Sequence, residues 1–230
     1  MTVSPASHAA LAWLALSAVL VAAPRLQAQT PAPAGLKIDK EKKTVTVDCR
    51  IAPRKLPNLS EVYPIEVIAA WPAPKGQKAH ETVVTTEVKP SDLHQALVSL
   101  GLKPGKPAKG EGAAAAGPEV KLFLDLPGPG GIAKRLPIER ALVDKKTGKT
   151  MPALKWIFTG SVEKQPDPAK PEKIYAADAT GTFIAIFPVT DECVLQSSLT
   201  MKDEPLIKLD TNVKTLPEAG VAAQLVVVVP

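Results

Sequence analysis

Proline and glycine interrupt this chain so often that no regular element can run far. Twenty-four prolines and fourteen glycines are spread over 230 residues, and proline breaks a helix because it lacks an N–H and clashes with the preceding turn. A helical bundle is therefore disfavoured. Between the breaks lie short runs rich in β-branched and apolar residues: TVTVDCRIA (Thr44 to Ala52), YPIEVIAAW (Tyr63 to Trp71), ETVVTTEV (Glu81 to Val88), VKLFLDL (Val120 to Leu126), LPIERALVD (Leu136 to Asp144), LKWIFTGSV (Leu154 to Val162) and AQLVVVVP (Ala223 to Pro230). In the first, Val45, Val47, Cys49 and Ile51 alternate with Thr46, Asp48 and Arg50, as in a strand with one buried face. The pattern predicts a mainly β (α+β) chain, a β-sandwich or open barrel of about nine or ten short strands.

One helix stands out near residues 91–101. Pro90 and Ser91 open it, Leu93, Leu97 and Leu100 form its stripe, and Gly101 follows its end. Ser91 is the natural cap, with Asp92 in the first turn near the positive end of the helix dipole. The next stretch, KPGKPAKGEGAAAAGP over residues 103–118, is low-complexity and reads as a mobile surface excursion. DKKTGKT (Asp144 to Thr150) reads as a hairpin joining its two flanking runs, with a positive φ at Gly148.

Residues 1–28 read as a secretory signal: an unbroken apolar run from Ala9 to Ala23, then Pro24, Arg25 and a small residue at Ala28. That run and the final AQLVVVVP are both too short to span a bilayer, so no transmembrane span is expected in the mature chain. The expected product is periplasmic or secreted after cleavage near Ala28. It comprises a Pro/Ala spacer (29–35) and a single β-rich domain (36–230). The formal net charge is +5, carried by lysines scattered through loops without interleaved aromatics. Such a surface is no nucleic-acid site.

The block from Lys78 to Gly105 holds His80, Glu81 and His94, the candidates for chemistry. His80 begins a strand and His94 falls in the first turn of the next helix, so the two imidazoles are candidate metal ligands, with zinc as the metal and Glu81 as a possible base. HETVV is not HExxH, and strand alternation sends His80 and Glu81 to opposite faces. The competing reading is two histidines that satisfy backbone groups beside the helix. Cys49 and Cys193 are the only thiols, and an even count in an exported chain suggests a disulfide, although Cys49 fits equally well as a core residue. No GxSxG elbow, phosphate loop or calcium loop appears.

Taken with KWIFTGS, YAADATGTFIAIF and DECV, the histidine block resembles the YdjY-like domain of exported bacterial proteins, notably of planctomycete type. The resemblance runs from about Leu36 to Val229. It is strongest at His80–Glu81, the His94 helix, Trp156 to Ser161 and Asp178 to Gly181. The family's function is unassigned, so the resemblance implies location and a coherent fold but no reaction. Some members carry a ferredoxin-like label; two cysteines cannot supply the four thiolates an iron–sulfur cluster normally needs, so that role is not expected here. The expected function is a non-catalytic binding or envelope-associated module with an envelope ligand or protein as partner. The alternative is a metal-dependent enzyme of hydrolase type using His80 and His94.

Overall fold

The computed structural model describes residues 1–2, 33–128, 130 and 132–230. The expected signal segment (1–28) and most of the spacer lie outside the described residues. Ala32–Pro230 forms one compact unit.

The elements in chain order are β1 (Leu36–Asp39), β2 (Thr44–Ile51), β3 (Val67–Ala70), β4 (Thr82–Thr85), α1 (Pro90–Ser99), β5 (Glu119–Leu126), β6 (Lys134–Pro137), β7 (Leu142–Asp144) and β8 (Trp156–Phe158). They continue with β9 (Glu163–Lys164), β10 (Ile174–Tyr175), the single-turn α2 (Ala176–Thr180), β11 (Thr182–Ala185), β12 (Leu195–Ser197), β13 (Leu209–Thr211) and β14 (Ala222–Val228). Ten strands share one sheet. Its neighbours run β2-β14-β5-β8-β12-β11-β3-β4, and β4 pairs back onto β2, so eight strands close a barrel. Strand β1 extends from β2 and β6 from β5. The fold is thus β-rich with one firm helix, and pairing of Arg50 and Ile51 with Thr85 and Val84 closes what could have stayed open.

Alternation decides which side chains fill the barrel. Val45 and Val47 of β2, Leu122 and Leu124 of β5, and Leu225 and Val227 of β14 are buried and point inward, and a barrel of eight strands is just wide enough for side chains to fill. Strands β3 and β11 are buried on both faces, which is why VIAA and TFIA read as continuous apolar runs. Helix α1 packs with Leu93, Ala96 and Leu97 buried. Among the described residues no helix is long and apolar enough to cross a membrane.

Three sequence expectations need correcting. The low-complexity stretch 103–118 stays on the surface, as expected, but backbone bonds anchor it at several points. Gly105 N–H donates to Phe158 O at 3.0 Å, Lys106 and Ala116 exchange backbone bonds of 2.7 and 3.0 Å, and Gln196 grips both backbone groups of Ala108 at 2.7 and 2.9 Å. Gly105 and Gly117 serve close packing, whereas Gly110 and Gly112 face open space: a Cβ on Gly117, whose φ is 149°, would sit 2.3 Å from Phe158 O. The turn at Gly148 has the expected positive φ of 68° but joins no hairpin of its two neighbours, because β7 pairs with β13 while β8 pairs with β5 and β12.

The third concerns the thiols. Cys49 and Cys193 are free and buried. Cys49 points inward from β2, and Cys193 lies two residues before β12, four strands away around the barrel in either direction. Opposite walls are much farther apart than the ~5.5–6 Å between Cα atoms that a disulfide requires. Burial pushes both thiols up to about 12, so neither is a ready nucleophile.

Candidate functional site

His80 lies in the turn before β4, two residues short of Thr82, where strand alternation begins. Its side chain is therefore free to meet its neighbour's, and His80 Nε2 stands 2.9 Å from Glu81 Oε1. Lys78 Nζ donates to Glu81 Oε2 at 2.7 Å and to Glu66 Oε2 at 3.3 Å, and the Tyr63 ring meets His80 edge-on at 5.1 Å. Burial alone would raise the Glu81 carboxyl, but hydrogen bonds from Lys78 and Glu66 and the nearby positive charge hold it below the ordinary carboxylate value. Burial and the adjacent Glu81 push Glu66 the other way, upward. Burial opposes the charge on Lys78, yet the two carboxylates win and raise it. The ammonium thus occupies the space between two acids where a metal would otherwise be sought.

His94 is the fifth residue of α1, in its second turn and not its first, because the helix starts two residues earlier than expected. Its Nδ1 is 2.9 Å from Tyr175 Oη, which also accepts the Ser161 N–H at 3.1 Å. A phenol proton donated to Nδ1, with the imidazole proton on Nε2, satisfies both groups. Phe158 and Tyr175 meet the ring edge-on at 5.2 and 5.3 Å. Burial lowers the His94 pKa and raises that of Tyr175, so both stay neutral. Gly160, at φ 64°, permits the approach: a Cβ there would fall 2.8 Å from Pro104 Cβ and 3.3 Å from His94 Cε1.

Around this second junction, Ser161 Oγ accepts the Ala177 N–H at 3.0 Å, and Asp178 Oδ1 accepts the Ser91 N–H at 2.8 Å. Ser91 is therefore not the cap of α1. Lys89 holds the cap position, Pro90 follows as the first helical residue, and Asp178 supplies the missing acceptor from α2. The helix bearing His94, Trp156 to Ser161, and Asp178 to Gly181 all converge here. His80 and Glu81 do not join them.

The two histidines share no partner, and among the described residues no three His, Cys, Asp or Glu side chains form a group able to hold a metal. Tyr63, Glu66, Lys78, Tyr175 and Ser161 were not picked out from sequence. The Lys78–Glu81 spacing of three residues was the one local hint.

A cleft of about 650 Å³ opens on the outer face of the barrel. It forms where β2 changes partner: β1 pairs with Thr44 to Val47, β4 takes over at Arg50, and Asp48 lies in the gap. The Asp48 N–H donates to Gly35 O at 2.8 Å, and its carbonyl accepts from Thr86 Oγ1 at 2.8 Å. Ala222 and Ala223 of β14 line it beside Val88 and Leu126. Val88 is positioned by its carbonyl, which accepts the Trp71 indole N–H at 2.6 Å. Asp48, Arg50, Glu87 and Gln224 bring polar groups to it. This volume lies within the ~300–1,000 Å³ typical of small-ligand sites.

No curated protein and no solved structure matches the chain. The family model for the YdjY domain matches residues 36–228, which takes in both histidine junctions, every strand of the barrel and all of the cleft lining except Ala34 and Gly35. By that match over most of its length, the chain belongs to the YdjY domain family.

Proposed function

We propose that this chain is an exported, non-catalytic binding module of the cell envelope and that its ligand lodges in the outer cleft. The observation that carries this reading is the cleft itself, a recess of about 650 Å³ with apolar walls and charged groups of both signs. The inward positions of the barrel are filled with side chains, which favours the outer face as the place for a ligand. The histidines support the non-catalytic part. His80 is occupied by Glu81, and His94 by Tyr175. The apolar run at Ala9 to Ala23 supports export.

Native mass spectrometry on protein recovered from the periplasmic fraction, without chelator or histidine tag, tests this. The expected result is a small-molecule adduct on the wild type that is absent from Ala222→Trp, whose indole would fill the cleft from an exposed position. Near-stoichiometric zinc that disappears in both His80→Ala and His94→Ala, with metal-dependent ester or phosphoester hydrolysis, would overturn it in favour of a metal-dependent hydrolase. Protein confined to the cytoplasmic fraction would overturn export.

A further inference from the structure

Asp48 and Arg50 stand two residues apart on β2 and face outward into the same cleft, while Cys49 between them points into the barrel. Residues i and i+2 of an antiparallel strand are about 7 Å apart. An extended dipeptide also spans at most about 7 Å from end to end. The two side chains carry opposite charges at that spacing.

Both are oriented by neighbours that leave part of each group open. Gln224 Nε2 donates to Asp48 Oδ1 at 2.9 Å, and no partner among the described residues occupies Oδ2. Arg50 spends one Nη1 donor on Gly220 O at 3.0 Å, and its Nε and Nη2 have no partner among the described residues. Glu87, exposed on the facing wall, adds a second carboxylate without a partner among those residues. Asp125 differs, since Arg135 clamps both its oxygens at 2.7 Å and spends its charge within the protein.

These charges discriminate between ligand classes. A polyanion would meet two carboxylates for one guanidinium and be repelled. A wholly apolar ligand would strip water from Asp48, Arg50 and Glu87 without replacing their hydrogen bonds, which is costly. A molecule with an ammonium at one end and a carboxylate at the other satisfies both signs, and the guanidinium fork suits a carboxylate.

We propose that the cleft binds a short peptide by its two ends, the α-ammonium held by Asp48 and Glu87 and the α-carboxylate by Arg50. The assignment rests on the reading of the cleft as the ligand site. Pro127, Ala133 and Ala222, all exposed, supply apolar surface for small side chains between the two ends. No bond is formed or broken.

Titration calorimetry of the full mature protein with L-alanyl-L-alanine, its N-acetyl derivative and its C-terminal amide tests the assignment. The dipeptide binds wild type. The N-acetyl form and the amide each bind about tenfold or more weakly, because each loses a charged hydrogen bond. Arg50→Gln binds the dipeptide no better than the amide, and Asp48→Asn, which leaves only Glu87 to hold the ammonium, narrows the difference between the dipeptide and its N-acetyl form. Both substitutions are on the outer face, and an unchanged melting temperature establishes that they fold. Equal binding of all three peptides, or a dipeptide affinity unmoved by both substitutions, would overturn the assignment. If the dipeptide fails to bind while an adduct sensitive to Ala222→Trp is present, the peptide class falls and the cleft stands. With neither adduct nor binding, both fall.

Discussion

The two histidine junctions use the same side chain in opposite ways. At His80 the partners are ionic: Glu81, Lys78 and Glu66, with side chains 11 to 28% exposed, form a network whose strength depends on which acids are charged. At His94 the partners are Phe158, Tyr175 and the Ser161 backbone, and burial keeps the ring neutral. One junction is held by charge and the other by packing. The residue type alone carried no information about which; the residues around it did. Nor does either need a metal or a substrate to account for its histidine.

If packing holds the His94 junction, its largest sensitivity is to volume. Phe158 is fully buried, so Phe158→Ala should cost about 4 kcal/mol and shift the urea midpoint accordingly. Tyr63, the ring against His80, is only half-buried, and Tyr63→Ala should cost about 1 kcal/mol. Comparable losses at the two sites would erase the distinction. Charge should be the sensitive variable at His80. Lys78→Met leaves two carboxylates facing each other and should cost about 2 kcal/mol at neutral pH, discounted from a fully buried pair because the side chain is 28% exposed. Adding Glu66→Gln should recover part of that loss in a double-mutant cycle, whereas purely additive costs would mean that the two groups do not interact.

A third measurement separates the junctions by pH. The folded His94 pKa lies below its ordinary value of 6.5. A depressed pKa contributes stability that is fully present above the unfolded value and is lost as pH falls toward the folded one. Wild type should therefore lose more stability than His94→Gln between pH 8 and pH 5, as followed by urea denaturation. Parallel pH profiles would show that His94 is free to protonate and that the aromatic cage does not hold it neutral.

How much of this was legible in sequence follows from the range of each interaction. Strands β2, β5 and β14 could be read because one face meets water and the other the barrel, and alternation records that difference residue by residue. The end of α1 was likewise local, at Leu100 and Gly101. Its start was not, because the acceptor for the Ser91 N–H belongs to Asp178, a residue of α2. The 103–118 stretch was misjudged because glycine and alanine look the same whether they serve freedom or close approach, and the Gln196 that pins Ala108 is remote in sequence. The error at His80 and Glu81 came from applying strand alternation two residues too early. The cleft had no signature at all: Asp48, Glu87, Leu126 and Ala222 meet only once the barrel closes.

The smallest expected effect is also the most specific to the ionic junction, because Glu66 and Glu81 are displaced in opposite directions from the same ordinary value of 4.5. Glu66, raised, contributes stability that is complete below pH 4.5 and is lost as pH rises through its folded pKa. Glu81, lowered, contributes stability that is complete above pH 4.5 and is lost as pH falls through its folded pKa. The pair is therefore tightest in mild acid, with Glu66 protonated and donating to an ionised Glu81 that Lys78 still holds. Glu66→Gln imitates the protonated partner and should remove the decline above pH 4.5, a difference of about 0.5 kcal/mol at neutral pH. Glu81→Gln should remove the decline below it. Native-state hydrogen exchange of the 72–81 crossover between pH 3.5 and pH 7.5 resolves the two limbs, and a single slope unaffected by either substitution would mean that the acids titrate independently.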